Sequence, residues 1–260
     1  MRTANIKTVN IKRIFRISAI IFSLLALGVS WALSSSYFDV RRIEYYGLDR
    51  MRESDIQKKL PFHRGENLLL ISTEKVKQRI LTDKRIADVK VEKCYPDAVI
   101  IEVSEKKPQY LLNCGELWGV TKNCEAIPIE DYRKLPNLPI IDNKWMLMPK
   151  AYCSIPDSSV QRTVAFLNKI SMEKPAFLDQ ISEIYSPNPD EYEIYLMRGG
   201  IRLRIMDKPK TLDKLAIILN KLEEDKIDVV EIDLRFPGQG IVRYKPYNKK
   251  NSLRQEFNNG

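Results

Sequence analysis

The stretch "ADVKVEKCYPDAVIIEVSEKKP", residues 87–108, decides the fold of the first part of this chain. Val89 and Val91 alternate with Lys90 and Glu92. After Tyr95-Pro96-Asp97 the alternation resumes through Val99, Ile101 and Val103. A period of two places each apolar set on one face of an extended chain, and the Pro-Asp pair between the two runs supplies a turn. The stretch therefore predicts a hairpin whose inner face is Val89, Val91, Ile101 and Val103. Just upstream, "STEKVKQRILTDKRI" predicts a helix with Ser72 or Thr73 as N-cap and Val76, Ile80 and Leu81 toward one face. "GENLLLIS" reads as a short connection. "MRESDIQKKL" is a second, earlier helix starting near Glu53 or Ser54, with Ile56 and Leu60 four apart. "FDVRRIEYYG" is an alternating strand through Phe38, Val40, Ile43 and Tyr45, ended by Gly47. Strand, helix, helix, strand, strand within residues 39–107 is an α+β unit with two helices on one sheet face.

Residues 108–244 follow a different rhythm. "YLLNCGELWGVTKNCEAIPI" holds short strands separated by Gly and Asn turns. "IPDSSVQRTVAFLNKISME" is a helix with Val160, Val164, Leu167 and Ile170 in one stripe. "ISEIYS" is a strand, and "EYEIYLMRGGIRLRIM" is a hairpin turning through Gly199-Gly200. "KTLDKLAIILNKLEED" is a helix with Leu212, Leu215, Ile218, Leu219 and Leu222 inward. These predict a mostly antiparallel sheet carrying two helices.

The last patterned stretch, "VVEIDLRFPGQGIVRY" (229–244), puts Val230, Ile232, Leu234 and Phe236 on one face and Val229, Glu231, Asp233 and Arg235 on the other. A Pro-Gly-Gln-Gly turn and a short run from Ile241 to Tyr244 follow. Residues 245–260 are too polar to cover anything and are expected to form a flexible tail. The open side of the last strand is left in need of a partner.

The net charge of +9 is concentrated at the termini. Residues 1–16 carry +5 and residues 245–260 carry +3, leaving +1 across the 228 residues between. A near-neutral body argues against a nucleic-acid reader. Residues 17–38, "ISAIIFSLLALGVSWALSSSYF", hold no charge. Twenty-two residues of helix would span about 33 Å, the thickness of a bilayer core. The five basic residues before them predict a cytoplasmic tail at residues 1–16 and export of the remainder. Trp31 and Tyr37 fall near the far end, where aromatics settle at the interface. "WALSSS" offers a weak cleavage site, so a removed signal peptide is the competing reading; an uncleaved anchor at residues 17–38 is expected.

Catalytic chemistry is not legible. The single histidine, His63, stands in a loop, and a base needs an orienting partner. No nucleophile elbow, zincin motif or phosphate-binding loop occurs. Glu223-Glu224-Asp225 reads as a solvated helix end. Cys94, Cys114, Cys124 and Cys153 have no C-x-x-C spacing, and no pairing among them is expected. No catalytic residue, metal site, cofactor, nucleic acid or small-molecule substrate is predicted.

The order of parts resembles the bacterial cell-division FtsQ/DivIB family: a basic cytoplasmic tail, one signal anchor, a POTRA domain and a β domain. "YFDVRRIEYYGLDRMRESDI" is similar to the family's opening POTRA strand and first helix. The stretch from "GENLLLI" through the hairpin to "EKKPQY" is similar to its second helix, Pro-turn and E-x-x-P exit. "EYEIYLMRGGIRLRI" resembles a β-domain hairpin, and "EIDLRFPGQGIVRY" the terminal D-L-R-Y strand. Phe236 departs from the tyrosine often found there. "MDKPK" replaces a glycine and a basic residue, with Lys208 in place to supply the charge. "DKRI" lacks a common tryptophan. The resemblance implies a non-enzymatic scaffold at the division septum of the inner membrane. It implies recruitment of FtsB and FtsL and, through them, of the septal synthase FtsW–FtsI. The implied mode is strand addition along the last strand, with Arg235, Phe236, Ile241, Val242, Tyr244 and Lys208 as partner-binding residues. Two rival readings remain: a POTRA-bearing outer-membrane assembly or secretion factor, which usually requires a barrel of many alternating strands, and a membrane-anchored cell-wall enzyme.

Overall fold

A computed structural model describes residues 5–135, 137–144, 146–224, 228–236 and 239–244. The chain forms two units that divide between Lys106 and Lys107.

The first unit opens with a long helix, α1 (Asn5–Ser34). Its stretch from Arg13 to Ser34, with a mean hydropathy of 2.0, is long and apolar enough to cross a membrane. The helix starts within the basic segment, where no Gly or Pro interrupts it, and it stops four residues earlier than the uncharged run. Ser35 accepts a hydrogen bond from the Tyr37 N–H and opens a separate 3-10 turn, Ser36–Phe38. Tyr37 and Phe38 thus lie outside the helix. Next come β1 (Arg42–Tyr46), α2 (Glu53–Gln57), α3 (Thr73–Leu81), β2 (Ile86–Cys94) and β3 (Ala98–Glu105). The order is the predicted strand-helix-helix-strand-strand. In space β3 is central, antiparallel to β2 and parallel to β1. Val89 faces Val103, Val91 faces Ile101, and Tyr45 flanks Ile101 on the other side.

The core of this unit collects Val40, Ile56, Leu68, Val76, Ile80, Val89, Val99, Ile101 and Val103. Leu81 departs from the predicted stripe and is exposed. A nine-residue helix packs one narrow face, and Val76 and Ile80, four apart, already fill it. The connection "GENLLLI" is more structured than expected: Asn67 caps a 3-10 turn, Leu68–Leu70. Gly47 ends β1 at φ +76°, and a Cβ there would sit 2.2 Å from the Val103 carbonyl oxygen, so only glycine fits. The glutamate of the E-x-x-P exit has a structural task. Glu105 accepts the backbone N–H groups of Asp49, Arg50 and Met51 at 2.8–3.1 Å, which organises the loop entering α2.

The second unit contains β4 (Tyr110–Asn113), β5 (Leu117–Val120), β6 (Ala126–Ile127), β7 (Ile140–Asp142), α4 (Ser158–Glu173), α5 (Pro175–Leu178), β8 (Ile181–Asn188), β9 (Glu191–Leu196), β10 (Arg202–Met206), α6 (Thr211–Glu224), β11 (Val229–Asp233) and β12 (Ile241–Tyr244). The strands form one sheet in the order β12-β11-β10-β9-β8-β7-β4-β5-β6. Pairing is mostly antiparallel, with parallel neighbours at β10–β11, β4–β7 and β7–β8. Asp157 caps α4 by accepting from the Val160 N–H, and the predicted stripe Val160, Val164, Leu167 and Ile170 is buried. The one-turn α5, with Pro175 at its start, was not anticipated. The β9–β10 turn passes through Gly199 and Gly200, both at positive φ.

Candidate partner-binding edge

β12 forms one end of the nine-stranded sheet, with only β11 beside it among the described residues. Ile241 pairs with Asp233, Val242 with Ile232 and Arg243 with Glu231. The register then shifts, so Tyr244 meets Val229 and Val230 is left over as a bulge. This shift overturns the simple two-face reading of the strand. A bulge adds one residue and reverses the alternation beyond it. Val229 and Ile232 therefore both enter the core, while Val230, expected beside Ile232, is 39% exposed.

The polar residues of β11 are not solvated either. Glu231 and Asp233 are buried. Arg202 from β10 reaches Glu231 at 3.0 Å, and Arg243 from β12 reaches it at 3.2 Å. Arg204 Nε lies 3.3 Å from Glu231 and 3.4 Å from Glu193. Arg235 grips Asp233 with Nε at 3.0 Å and Nη2 at 2.7 Å, and its Nη1 bonds Glu191 of β9. Four arginines and four carboxylates thus lie across β9 to β12. The Arg202 bond holds the Glu231 carboxyl below its ordinary 4.5 against the effect of burial. Burial alone would raise Asp233, but the Arg235 bonds bring it below 3.8. Bonds from Asn188 and Arg235 lower Glu191.

A carboxyl depressed by folding adds stability that is complete above its ordinary value and is lost as pH falls through the folded value. The urea midpoint of this unit should therefore stay level from about pH 7 to 5 and fall below about pH 4. Glu231→Gln should lower the midpoint at neutral pH and flatten the acid limb. An unchanged acid limb in that variant would show that this cluster does not drive the loss.

Beside the edge lies a groove of about 440 Å³ between the start of α6 and the segment leaving β11. Lys208, Arg235 and Phe236 of the sequence-selected residues line it together. Phe236 is 47% exposed, with the Arg235 guanidinium 6.0 Å from its ring centroid. Ile241, Val242 and Tyr244 do not line the groove but stand on β12. Ile241 and Tyr244 are exposed, and Val242 packs partly against the core. Arg235 is held by Asp233 and Glu191, so it braces the site rather than reaching freely. The Pro237-Gly238 half of the predicted turn, Asp225 of the acidic run and the tail 245–260 lie outside the described residues.

Sequence reasoning missed Thr211, Lys214 and Ile217 as groove residues. Their three-residue steps along α6 were the available signal. Ile218, assigned to the core stripe, both packs on the core and lines the groove. His63 Nδ1 lies 3.3 Å from Glu66 in an exposed loop. Among the described residues no cluster of three His, Cys, Asp or Glu side chains is placed to hold a metal ion.

Residues 38–106 match the family model described as "POTRA domain, FtsQ-type". The "Cell division protein FtsQ" of Syntrophotalea carbinolica is 21% identical over 194 residues, covering 73% of this chain and 68% of that protein. The "Cell division protein DivIB" of Bacillus anthracis is 23% identical over 235 residues, covering 88% and 82%. The DivIB of Bacillus cereus is 24% identical over 203 residues, covering 75% and 74%.

Proposed function

We propose that this chain, which belongs to the FtsQ/DivIB family of cell division proteins, is a membrane-anchored scaffold of the division machinery that captures its partner by β-strand addition to β12. Its N-terminus would lie in the cytoplasm, following the basic residues before α1. Its two folded units would lie outside, held to the inner membrane at the septum. The captured segment belongs to FtsB in complex with FtsL, and through that pair the chain is linked to the peptidoglycan synthase FtsW–FtsI. No catalytic step is assigned to it.

The observation that carries this reading is the edge of β12, which has no second neighbour among the described residues, beside the Phe236 groove. An unpaired edge presents backbone donors and acceptors, which solitary proteins normally blunt or cover. An added strand would take up those groups, and the groove would receive one of its side chains. Phe236 is the aromatic anchor, burying a large area with few torsions. Truncating such an anchor typically weakens binding by about 1–3 kcal/mol. Phe236→Ala in the full-length chain should therefore reduce co-purification with FtsB–FtsL while leaving the thermal melt in place. Parent-level capture by that variant would remove the groove from the binding surface.

A further inference from the structure

The last four carbonyls of an α-helix have no partner within it. At the end of α1 two of them are satisfied from 34 and 35 residues away. The Asn67 amide donates to the Ala32 oxygen at 3.0 Å and to the Leu33 oxygen at 3.1 Å. The other atom of the same amide, Oδ1, accepts the Leu69 N–H at 2.9 Å and starts the Leu68–Leu70 turn. Backbone bonds lock the surroundings: Val40 N–H to the Glu66 oxygen and Gly65 N–H to the Val40 oxygen, each 2.9 Å, with a bridge between Asp39 and Asn67. One side chain therefore caps the apolar helix and begins a turn of the folded unit.

The turn divides its leucines. Leu68 is fully buried in the core, and Leu70 is 69% exposed. Lys93 donates from Nζ to the Leu69 carbonyl at 3.2 Å, which brings an ammonium to the same turn. Tyr37, in the 3-10 turn leaving the helix, is 58% exposed. From Ile17 to Ser34 the helix spans about 27 Å, nearly the hydrocarbon thickness, so its capped end falls close to the interface. Leu70 lies three residues beyond the capping amide, about 6 Å along a 3-10 turn, close enough to the helix end to meet a headgroup layer. An exposed leucine, an exposed tyrosine and a lysine at that depth match the residues that settle at a bilayer surface.

We propose that Asn67 seats the first folded unit on the membrane. The clamp holds the Leu68–Leu70 turn so that Leu70 enters the lipid interface and Lys93 meets anionic headgroups. The unit is thereby set at a fixed height and angle to the anchor instead of swinging from a linker. This rests on the membrane-anchored reading above, and the test separates the two.

The full-length chain, with Cys94→Ser and Cys153→Ser, would be reconstituted in phosphatidylglycerol–phosphatidylethanolamine vesicles. Single nitroxide labels would be placed at Leu25→Cys, Leu70→Cys and Ala87→Cys. Leu25 lies within the apolar helix. Ala87 is exposed at the far end of β2, about 20 Å along the strand from Lys93. Collision with lipid-soluble oxygen and with a water-soluble nickel chelate reports the surroundings of each label. The labels at 25 and 70 should favour oxygen and the label at 87 the chelate. Asn67→Asp keeps the acceptor for the Leu69 N–H but removes both donors to the helix. It should reverse the preference at 70 while leaving 25 unchanged and the circular dichroism native. A label at 70 that favours the chelate while 25 favours oxygen overturns the seat but leaves the anchor standing. A label at 70 indifferent to Asn67→Asp overturns the clamp. A chelate preference at 25 overturns the anchored reading, and the seat with it.

Discussion

Under the proposed strand addition, proline at Ile241 or at Val242 is expected to abolish capture of the FtsB–FtsL pair. The two residues are neighbours on the edge strand, opposite Asp233 and Ile232. In antiparallel pairing, successive residues of an edge strand direct their N–H groups alternately toward the sheet and away from it. One of the two therefore bonds β11 and the other points away from the sheet, where the proposed added strand would lie. Proline at the outward position removes a donor and sets its ring against the added chain, with the β11 ladder untouched. That variant should melt like the parent and fail to retain the partner. Proline at the inward position breaks a ladder bond and should lower the melt as well. A loss of tenfold or more, about 1.4 kcal/mol, suffices to empty a pull-down run near the dissociation constant. Retention of the partner by both variants, with normal melts, would mean that the chain docks its partner on another surface.

The second large effect is expected in the first unit. Ile101 is fully buried at the middle of the central strand, flanked by Tyr45 on β1 and Val91 on β2. It shares its core with Val76 and Ile80 of α3. Truncation removes three carbons and leaves a cavity that two packed helices and a strand paired on both sides cannot easily collapse. Ile101→Ala should therefore cost about 2–5 kcal/mol. Against a typical domain stability of about 5–15 kcal/mol, this is a large fraction of the total. Lys90 is on the same hairpin but points outward, paired with Glu92 at 2.7 Å in solvent. Lys90→Ala should leave the urea midpoint near that of the parent. Equal midpoints for the two variants would show that the inner face of the hairpin has been assigned to the wrong residues.

The contrast between Ile101 and Lys90 is readable in the sequence, because alternation along a strand is a property of the chain itself. The same holds for Val160, Val164, Leu167 and Ile170, whose helical spacing marked a face that is buried. The order of elements in the first unit, the Gly47 stop and the uncharged N-terminal run were legible for the same reason. Each depends on residues within one or two turns of one another. Phe236 and Lys208 could be selected only through a family resemblance, since nothing local distinguishes them from other exposed side chains.

What only the tertiary structure decided involves partners far apart in sequence. Parallel pairing of β1 with β3 joins segments more than fifty residues apart, and which edges meet is not encoded in either strand's alternation. The alternation of residues 229–236 predicted a polar outer face. The structure instead buries Glu231 and Asp233, because Arg202, Arg204, Arg235 and Arg243 converge on them from β10, β12 and the segment after β11. A buried carboxylate is tolerated only where such charges arrive together, and that depends on strand register. The bulge at Val230 likewise arises from pairing with β12. Asn67 lies in "GENLLLIS", which the sequence marks only as a short connection. Its amide became a helix cap only because the fold returned it to Ala32 and Leu33. Local pattern set the strands, the helices and most of the core, and long-range closure set the register and which polar groups find one another.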